Sequence, residues 1–528
     1  MGDAKIFLTI FVMFIRKKRN RSGSVSVVVV DKAGGRFKEL VTIGISTDSK
    51  EIDRLVMEGR EWIYKKEGEL QPRLDLFGEE REARQAEVEE TERVLSHVSN
   101  VLLNGSELIV GRVFDRVGFG TVGDEVFRRL VLSRLSYPAS KAATAEYLRG
   151  CFDDDVSLWQ IYRYLDRLGS DEQSKVQDIS VKHTLDVHGG TVGVVFYDVT
   201  TLYFEADRED DLRRTGFSKE GRHRNPQIIL GLLVSSDGCP LAYCIHPGNK
   251  YEGHTMLPAV TGFVGRYGLE DFIVVADSGL MTGENVRELD RLGYKYIIGA
   301  RIKTESAAVK RVILSMERAE GKTLEVDKGY GQRLLVGYSS KRAMKDAHNR
   351  RKGLQRLEKA HRSGRLTKES VNNRGYNKFL RIEGDVSVAI DYERVKADEA
   401  WDGLKGYLTN TDIPAGQVYE AYHNLWNVER AFRIAKSKIE IRPMFHFTRR
   451  RIEAHVCICF VALKVYKELE RILKQAHIPL SVDKVLTLAK TVTTIQIELP
   501  MNKGTVTKTL IMERHKVIEK LFSDDFWR

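Results

Sequence analysis

The chain has 528 residues, of which 42% are hydrophobic and 30% are charged, and its formal net charge is +11 with a sequence pI of about 9.1. At roughly 150 residues per domain, this length predicts two to four domains, and the apolar content is sufficient for packed cores. The basic balance favours a polyanionic partner. The five cysteines lack the spacing of a zinc site and their odd number argues against a disulfide framework, so we expect a reducing, cytoplasmic setting. They are Cys151, Cys239, Cys244, Cys457 and Cys459.

The N-terminus combines an apolar run, residues 6–15, with a basic patch, residues 16–21. A secretory signal carries its positive charge before the apolar run, and a span of the bilayer takes about 20 residues, so we expect neither a signal nor a membrane partner. A short segment at a membrane interface stays open. We prefer Met13 as the start of the protein, because it leads directly into the basic patch and the strand after it.

The first third of the chain predicts a small β unit and then helices. Two β-rich runs, residues 25–30 and 37–45, flank a glycine turn and predict a hairpin, and residues 49–66 predict a helix. Residues 79–99 mix Glu and Arg at helical spacing, which is typical of a solvated helix or a linker. Further amphipathic helices are predicted at residues 124–135, 141–152 and 157–168. They suit either DNA-end binding or a spacer and dimerisation unit.

From Gly189 the pattern changes to an α/β core, in which strands alternate with helices after an opening β meander. The predicted strands are residues 191–197, 201–204, 228–235, 238–245, 272–276, 296–299 and 403–409. The predicted helices are residues 255–267, 283–292, 418–437 and 450–473. Between residues 301 and 400 the pattern breaks into β and basic helical segments, which we interpret as an insertion. Its residues 350–365 are dense in cations and favour a DNA-tracking surface over an inert one.

These patterns predict six segments. They are an N-terminal hairpin plus helix (1–70), a helical DNA-binding or dimerisation region (71–185), the first half of the core (186–300), a β-rich and basic insertion (301–400), the second half of the core (401–475) and a C-terminal region (476–528).

Three carboxylates have the placement that metal-dependent chemistry needs. Asp198 and Asp277 each follow an apolar β run, where a buried strand reaches solvent and sites tend to be built. Glu429 shares a predicted helical face with Tyr422, Arg433 and Lys436, at spacings of seven, four and three residues. Each acid also has a simpler interpretation, as a strand-end cap or as part of an ordinary exposed face with Glu–Arg pairs.

Residues 422–436, with Tyr422, Glu429 and Lys436 at their positions, resemble the Tyr-x2-Arg-x3-Glu-x6-Lys signature of bacterial insertion-sequence transposases of family four. The segments Tyr-Asp-Val-Thr-Thr around Asp198 and Ala-Asp-Ser-Gly-Leu around Asp277 resemble the two aspartate segments of that family. The resemblance extends over residues 189–467 and includes Gly216-Phe217-Ser218-Lys219, Pro247-Gly248-Asn249 and Arg442-Pro443-Met444-Phe445-His446. Leu425 occupies the signature's Arg position, which puts one DNA contact in doubt.

The resemblance implies an RNase H-like mixed sheet interrupted by a β-rich insertion, with the first Asp on its first strand and the second on its fourth. Asp198, Asp277 and Glu429 would be the catalytic residues and would hold two Mg²⁺ or Mn²⁺ ions. Water attack would cut double-stranded DNA at the terminal repeats of the element, and the freed 3′-OH would then join target DNA. A homodimer in a synaptic complex is expected, in a bacterial or archaeal cytoplasm and associated with the nucleoid.

Several other side chains are candidate DNA contacts. Trp426 either stacks on a flipped base or packs in the core. The charged loop near Asp198 either grips DNA or is merely solvated. The candidates are Tyr422, Trp426, Arg433, Lys436, Lys219, Arg222, His223 and Arg224.

Two rival functions remain. An RNase H-like nuclease or resolvase would use the same acids without strand transfer, whereas a non-catalytic DNA-binding protein would have lost one of them. A dinucleotide-binding enzyme is disfavoured, because no Gly-x-Gly-x-x-Gly follows a strand.

Overall fold

The computed structural model describes residues 13–32, 36–70, 78–218, 221–269, 272–280, 282–372, 375–383, 387–499 and 504–527. The chain divides into two compact units, Met1–His97 and Val98–Arg528, and each is described by itself. Among the described residues, no helix is both long and apolar enough to cross a membrane.

The N-terminal unit contains a three-stranded antiparallel sheet in the order β1-β2-β3, with a helix packed on it. Its elements are β1 (Met13–Arg19), β2 (Val25–Asp31), β3 (Lys38–Ser46), α1 (Ser49–Leu70) and α2 (Gly78–Ser96). The predicted hairpin and first helix are confirmed, and the basic patch adds β1, which the sequence did not predict. Residues 83–96 of α2 are exposed, as expected for a solvated helix. Most of the apolar run, residues 6–12, and the centre of the glycine turn, residues 33–35, lie outside the described residues.

The second unit begins with a strand and a group of helices. They are β4 (Val98–Leu102), α3 (Gly105–Val117), α4 (Glu125–Ser136), α5 (Lys141–Phe152), α6 (Leu158–Arg167) and α7 (Ser170–Val187). The side-chain oxygens of Asp124, Ser140 and Ser157 accept hydrogen bonds from backbone N–H groups in the first turns of α4, α5 and α6. These N-caps satisfy donors that a helix leaves unpaired, which explains why the three predicted helices begin where they do.

A large mixed sheet lies at the centre of this unit. The strands along this part of the chain are β5 (Val194–Tyr203), β6 (Gln227–Ser235), β7 (Pro240–Pro247), β8 (Ile273–Ala276), β9 (Lys295–Ala300), β10 (Thr323–Gly329), β11 (Gln332–Tyr338), β12 (Leu380–Glu383), β13 (Ser387–Ile390) and β14 (Leu404–Thr409). Within the described ranges, eight of them form one sheet in the order β10-β11-β14-β9-β8-β5-β6-β7. The β5–β8 and β8–β9 pairs are parallel and the others antiparallel.

The helices of this part of the chain cover the sheet or lie between its strands. They are α8 (Met256–Tyr267), α9 (Gly283–Arg291), α10 (Ala307–Leu314), α11 (Ser340–Arg362), α12 (Tyr392–Glu399), α13 (Ala415–His423) and α14 (Trp426–Ser437). Asp198 lies on β5, the first strand of the core, and Asp277 directly follows β8, the fourth. The predicted α/β fold, an RNase H-like mixed sheet with this placement of the two acids, is therefore confirmed.

The prediction of two strands at residues 191–197 and 201–204 is wrong, because β5 runs unbroken from Val194 to Tyr203. It pairs with β6 along almost its full length, from Val195 opposite Ser235 to Tyr203 opposite Gln227. The β-branched residues after Asp198 suit a pleated strand, so the polar side chains there do not end it. Asp198 thus lies within a strand and not at its end.

The prediction of one helix over residues 418–437 is also wrong. The chain forms two helices, α13 and α14, joined by a tight turn in which i→i+3 bonds replace the α-helical pattern. The N–H of Leu425 donates to the carbonyl of Tyr422, and the N–H of Asn427 donates to that of Asn424. Such 3₁₀ geometry has about 3.0 residues per turn instead of 3.6, so Tyr422 does not continue the face of α14.

The region between β9 and β14 contributes to the central sheet as well as interrupting it. The β10–β11 hairpin extends the sheet through the pairing of β11 with β14. The segment between β11 and β14, residues 339–403, carries α11, the β12–β13 hairpin and α12. The six-segment division of the chain stays a prediction.

A long buried helix, α15 (Arg449–Gln475), joins the helical region to the sheet. It packs against the helices α3, α4, α6, α7 and α14 and against the strand β7. The C-terminal elements are α16 (Val482–Ala489), β15 (Thr493–Glu498), β16 (Thr505–Leu510) and α17 (Asp524–Trp527). A second small sheet in the order β16-β15-β4 ties this end of the chain to the start of the helical region.

Charged side chains are buried on α15 and are paired. The ammonium of Lys464 donates to the carbonyl of Ser180 and to the hydroxyl of Thr184 on α7. Glu468 accepts two hydrogen bonds from the guanidinium of Arg471, at 2.8 and 2.5 Å. Burial by itself raises the pKa of Glu468, but the hydrogen bonds from Arg471 and His183 outweigh it and lower this pKa to about 2.

We expect Glu468→Gln to lower the free energy of unfolding at pH 7 by about 3–5 kcal/mol, because it removes the buried carboxylate that pairs with the half-buried Arg471 and His183. The folded-state pKa lies below the ordinary value of 4.5, so this stabilisation is present above pH 4.5 and is lost as the pH falls towards 2. Urea-unfolding midpoints of both proteins at pH 7 and pH 3 measure the difference. Glu513→Gln, which breaks an exposed pair with Lys516, is the control and should cost less than about 1 kcal/mol. Equal losses in the two variants would contradict the prediction.

Candidate active site

The register of two parallel strands places the aspartates side by side. Tyr197 on β5 is the partner of Ala276 on β8, and the residue that follows each of them in the chain is an acid. Neighbouring strands lie about 4.8 Å apart, which brings the backbones of Asp198 and Asp277 close together. β8 ends at Ala276, so Asp198 lies where β5 loses its neighbour on that side. Asp198 is half-buried and Asp277 is exposed.

The alternation of side chains along the strands turns both acids towards α14. On β5, Phe196 and Leu202 pack in the apolar cluster that includes α14 and α15, whereas Val195 and Tyr197 pack in the cluster formed with α8 and α9. Because successive strand residues point to opposite faces, Asp198 faces the same side as Phe196. The same alternation puts Asp277 on the α14 side of the sheet.

Glu429 lies in the first turn of α14, where the helix dipole favours a negative charge. α14 packs on β5 and β6, and Glu429 itself is exposed. The three acids thus come from three elements that meet on one face of the sheet. Among the described residues, however, no group of three or more His, Cys, Asp or Glu side chains lies at metal-ligand spacing.

Tyr422 bonds directly to one of the three predicted acids. Its hydroxyl donates to Oδ1 of Asp277 at 2.7 Å. Burial and the charge of Asp277 both raise the pKa of this hydroxyl, so it remains a donor at neutral pH. The approach depends on Gly299 of β9, because a Cβ there would lie 2.6 Å from the Tyr422 hydroxyl.

Lys405 on β14 adds a positive charge to this group. Its ammonium lies 4.2 Å from the ring centroid of Tyr422. The pKa of Lys405 is lowered, mainly by burial and also by the charge of Arg342 on α11. The carboxylates of Asp277 and Glu429 act in the opposite direction and raise it. Lys405 therefore interacts electrostatically with two of the three predicted acids. Sequence reasoning missed Lys405, Arg342 and Gly299, and the available signals were the two predicted strands that contain Lys405 and Gly299.

The other predicted residues of α14 differ in their surroundings. Trp426 is 43% exposed, so it is not a core residue, and the Arg430 guanidinium lies 5.8 Å from its ring centroid. Arg430 is itself paired with Glu470 on α15. Arg433 is exposed and forms no ion pair with the described residues, and Lys436 is half-buried. Leu425, at the signature's Arg position, is buried in the core.

The charged loop after β5 lies away from the acids. Arg222 stacks on the ring of Tyr203, with its guanidinium 4.4 Å from the ring centroid, and pairs with Glu205 at 3.4 Å. Tyr203 is five residues beyond Asp198, which corresponds to about 16 Å along the strand. His223 accepts a hydrogen bond from the N–H of Ser218, and Arg224 is exposed. Lys219 lies outside the described residues.

One cation of the predicted DNA-tracking surface is buried and paired with an acid inside the protein. Arg350 on α11 is buried and forms two hydrogen bonds with Asp402, at 2.6 and 2.7 Å. The other Lys and Arg residues of that stretch are exposed, and their role stays a prediction.

Comparison with known proteins gives one family match. A family model described as a transposase DDE domain matches residues 193–464, which is more than half of the chain. No curated protein matches significantly. Among solved structures, the fold is compared with a piggyBac transposase synaptic complex with hairpin DNA, at 9% identity and a TM-score of 0.39, covering 75% of this chain and 77% of that one. The Mos1 transposase paired-end complex matches at 11% identity and a TM-score of 0.15, over 36% of this chain and 61% of that one.

We expect Gly299→Ala and Tyr422→Phe to be coupled in a double-mutant cycle. Alone, Gly299→Ala should lower the midpoint of thermal unfolding, because its Cβ displaces the Tyr422 hydroxyl from Asp277, and a hydrogen bond to a charged group contributes about 1.5–3 kcal/mol. In the Tyr422→Phe background the hydroxyl is absent, so the same change should cost about 0.5–3 kcal/mol less. Gly416→Ala on α13 meets no neighbouring atom within 4 Å and serves as the control. Additive effects would mean that Gly299 does not act through Tyr422.

Proposed function

The chain belongs to the family of DDE-domain transposases, and from this premise we propose that it cuts the ends of an insertion-sequence element and joins the freed 3′-OH to target DNA. The observation that carries the proposal is the β5–β8 register, which sets Asp198 beside Asp277. Glu429 approaches the same face of the sheet on α14. The proposed catalytic residues are therefore these three acids.

The proposed cofactor is a pair of Mg²⁺ or Mn²⁺ ions held by Asp198, Asp277 and Glu429. The chemistry of the donors fits, because these hard cations prefer carboxylate oxygens, and the three carboxylates would have to draw together to ligand spacing when the ions bind. When bound, such ions stabilise charge on phosphoryl oxygens and make bound water a better nucleophile. The number and identity of the ions belong to this proposal.

The protein's own groups orient the reacting parts. The Tyr422 hydroxyl fixes one oxygen of Asp277, which leaves the other oxygen available as a ligand. Arg433 and Lys436 follow Glu429 by four and seven residues on α14, so they lie on its side of the helix and suit the phosphates that flank the cut. Hydrolysis of one phosphodiester bond frees a 3′-OH, and that hydroxyl then displaces an oxygen of a target phosphodiester.

The proposed partner is double-stranded DNA, first the terminal repeats of the element and then the target. The proposed contacts are Tyr422, Trp426, Arg433, Lys436, Arg222, His223 and Arg224, with Lys219 beside them in the sequence. Arg222 stacks on Tyr203, at the end of β5 that is distant from Asp198, so it would contact DNA away from the cut. Synapsis of two ends would require a homodimer, and the setting would be a bacterial or archaeal cytoplasm, at the nucleoid.

We expect Asp198→Ala, Asp277→Ala and Glu429→Ala each to abolish metal-dependent nicking and joining of labelled element-end DNA. Each substitution removes a proposed ligand, and loss of a metal ligand should lower the rate by at least about 100-fold. Glu420→Ala removes an exposed carboxylate from the neighbouring helix α13 and should leave activity unchanged.

The DNA products distinguish a transposase from a nuclease or resolvase and from a non-catalytic DNA-binding protein. Nicked and joined product, lost in all three variants, supports a transposase with these ligands. Nicking without joining would indicate a nuclease or resolvase, and binding without either would indicate a non-catalytic DNA-binding protein. Activity that survives Glu429→Ala would mean that another residue is the third ligand.

We also expect Trp426→Ala to weaken binding to DNA that carries an unpaired base next to the cut. Stacking of a base on an aromatic ring contributes about 1–3 kcal/mol, which corresponds to roughly 5- to 150-fold in affinity. Trp426→Phe should restore most of this preference, and binding to fully paired DNA should change little in either variant. Equal losses on paired and unpaired DNA would show that Trp426 does not stack on a base.

A further inference from the structure

Two basic side chains are buried at the junction of α4 and α5 without an acidic partner. Arg134 lies in the last turn of α4 and is 7% exposed, and Lys141 is the first residue of α5 and is 5% exposed. Within the described ranges, neither side chain forms an ion pair or a hydrogen bond. Lys and Arg are almost never buried unless they are paired, so these two cations call for an anion.

The other buried cations show that this fold otherwise provides a partner. In the part of the chain that the structure describes, four more Lys or Arg side chains are buried, and each is bonded to a carboxylate or to a carbonyl and a hydroxyl. They are Arg213, Arg350, Lys464 and Lys467. Arg134 and Lys141 are the exceptions among them.

Two histidines complete what we call the buried cationic cluster, which consists of Arg134, Lys141, His446 and His455. α15, which carries His455, packs against α4, and α4 packs against α5. The two imidazole rings are buried, with their centroids 5.1 Å apart. Burial lowers the pKa of both rings, and the charges of Arg134 and Lys141 lower it further, to about 4 for His446. Both rings are therefore neutral at pH 7, and the positive charge of the cluster belongs to Arg134 and Lys141.

The carboxylate that acts on the cluster is already engaged elsewhere. Asp166 of α6 raises the pKa of His446, but both of its oxygens accept hydrogen bonds from the Arg451 guanidinium, each at 2.6 Å. The pKa of Lys141 is lowered to about 7, first by burial and then by the charge of Arg134, and no described carboxylate opposes this. The protein itself therefore does not neutralise the two cations.

His455 adds an acceptor that lacks a donor. Its Nε2 lies 3.1 Å from the carbonyl of Ile441, and because a carbonyl only accepts, Nε2 carries the proton. Nδ1 of the neutral ring is then an acceptor, and it is buried without a partner among the described groups. A ligand that satisfies the cluster must accept hydrogen bonds from two cations and donate one to this nitrogen. A phosphate ion that carries a proton has oxygens of both kinds.

We propose that the buried cationic cluster binds one phosphate ion between α4, α5 and α15. Its charged oxygens accept hydrogen bonds from Arg134 and Lys141, and its hydroxyl donates to Nδ1 of His455. Lys141 also stands at the N-terminus of α5, a helix of 12 residues, where the helix dipole favours an anion. Neutralising the two buried charges turns an unfavourable group into a link between the helical region and the long helix α15.

Burial selects a small ion and excludes a DNA backbone. More than nine-tenths of Arg134 and of Lys141 is covered by protein, whereas a phosphate within a duplex is flanked by its own strand and stays outside such a site. The cluster contains none of the three catalytic candidates. Its phosphate therefore stabilises the fold and takes no part in the proposed cleavage.

The first test measures the binding of labelled phosphate to the full chain by equilibrium dialysis, with a chelator that removes divalent metal ions. We expect one phosphate per chain in the parent protein. Lys141→Met and Arg134→Met each remove a hydrogen bond from a charged donor, so each should raise the Kd by about 10- to 150-fold. Lys141→Arg keeps the charge and should bind more tightly than Lys141→Met. Lys182→Met makes the same charge change at an exposed position of α7 and should keep the parent Kd.

The second test uses the sign of a stability change. Lys141→Met removes a buried charge that no described acid pairs with, so in chloride buffer it should raise the midpoint of thermal unfolding. In saturating phosphate the order should reverse, because the bound ion stabilises the parent protein and not the variant. Phosphate also stabilises folded proteins in general, so the measured quantity is the difference between parent and variant in each buffer. A variant that is more stable than the parent in both buffers would overturn the proposal.

Competition experiments test the identity of the ion. Sulfate at neutral pH has no hydroxyl to donate to His455, so it should displace labelled phosphate less well than unlabelled phosphate does. Equal displacement by sulfate would overturn the assignment to phosphate. Displacement by duplex DNA at the same concentration of phosphate groups would show that the site takes a DNA phosphate, and it would overturn the assignment to a small ion.

Failure of the phosphate site is distinct from failure of the proposed function. Asp198→Ala should lose cleavage and keep the parent affinity for phosphate. A parent protein that nicks and joins DNA but binds no more phosphate than Lys141→Met and Arg134→Met would overturn the phosphate site alone. One bound phosphate on a protein that does not cut DNA would support the site and overturn the proposed function alone.

Discussion

The parallel pairing of β5 with β8 is the constraint on which the candidate site depends. It aligns Tyr197 with Ala276, and the two acids that follow become neighbours for that reason alone. A slip of one residue in either strand would turn an acid to the α8 and α9 side, together with every apolar side chain of that strand. The register is held by apolar packing on both faces of the sheet, so the forces that bury the core also place the carboxylates. Tyr422 then fixes the orientation of Asp277 within this frame.

The sequence predicts those parts of the fold that are determined locally. The apolar runs of β6 and β8 and the capped helices α4 to α6 were predicted within a few residues, because their periodicity and caps lie within the segment itself. β5 was divided because Asp198 interrupts its apolar run, and the strand is continuous only through its partner β6. The break between α13 and α14 depends on burying Tyr422 and Leu425 against different neighbours, which no local pattern records. Lys405 could not be assigned, because it is 128 positions from Asp277 and reaches the site through sheet pairing.

The net charge of +11 counts every cation equally, whereas the structure distinguishes cations that are paired within the fold from cations that face solvent. Lys464, Arg471 and Arg350 are committed to buried carbonyls and carboxylates, and removing a partner of one of them destabilises the fold. Arg16 and Arg433 face solvent without an acidic partner among the described residues, and only such cations gain by meeting a phosphate of DNA. A count of basic residues therefore indicates the class of partner. The surface that binds this partner is identified only after the cations that are paired inside the fold have been excluded.

Leu425 replaces the arginine of the signature, so the positive charge near Tyr422 comes from another part of this chain. A cation at that position would have to lie in the apolar core, and Arg430 one turn later is held by Glu470. Lys405 instead reaches the Tyr422 ring from β14, a strand that enters the sheet only after the segment of residues 339–403 has returned. A change in the length of this segment alters the free energy of folding only a little, because the entropic cost of closing a loop grows slowly with its length. What must be kept is the pairing of Gly406 with Ala300, because it fixes the position of Lys405, whose ammonium contacts the Tyr422 ring. The inserted segment can thus vary in length without disturbing the site, as long as it ends in a strand that joins β9 in this register.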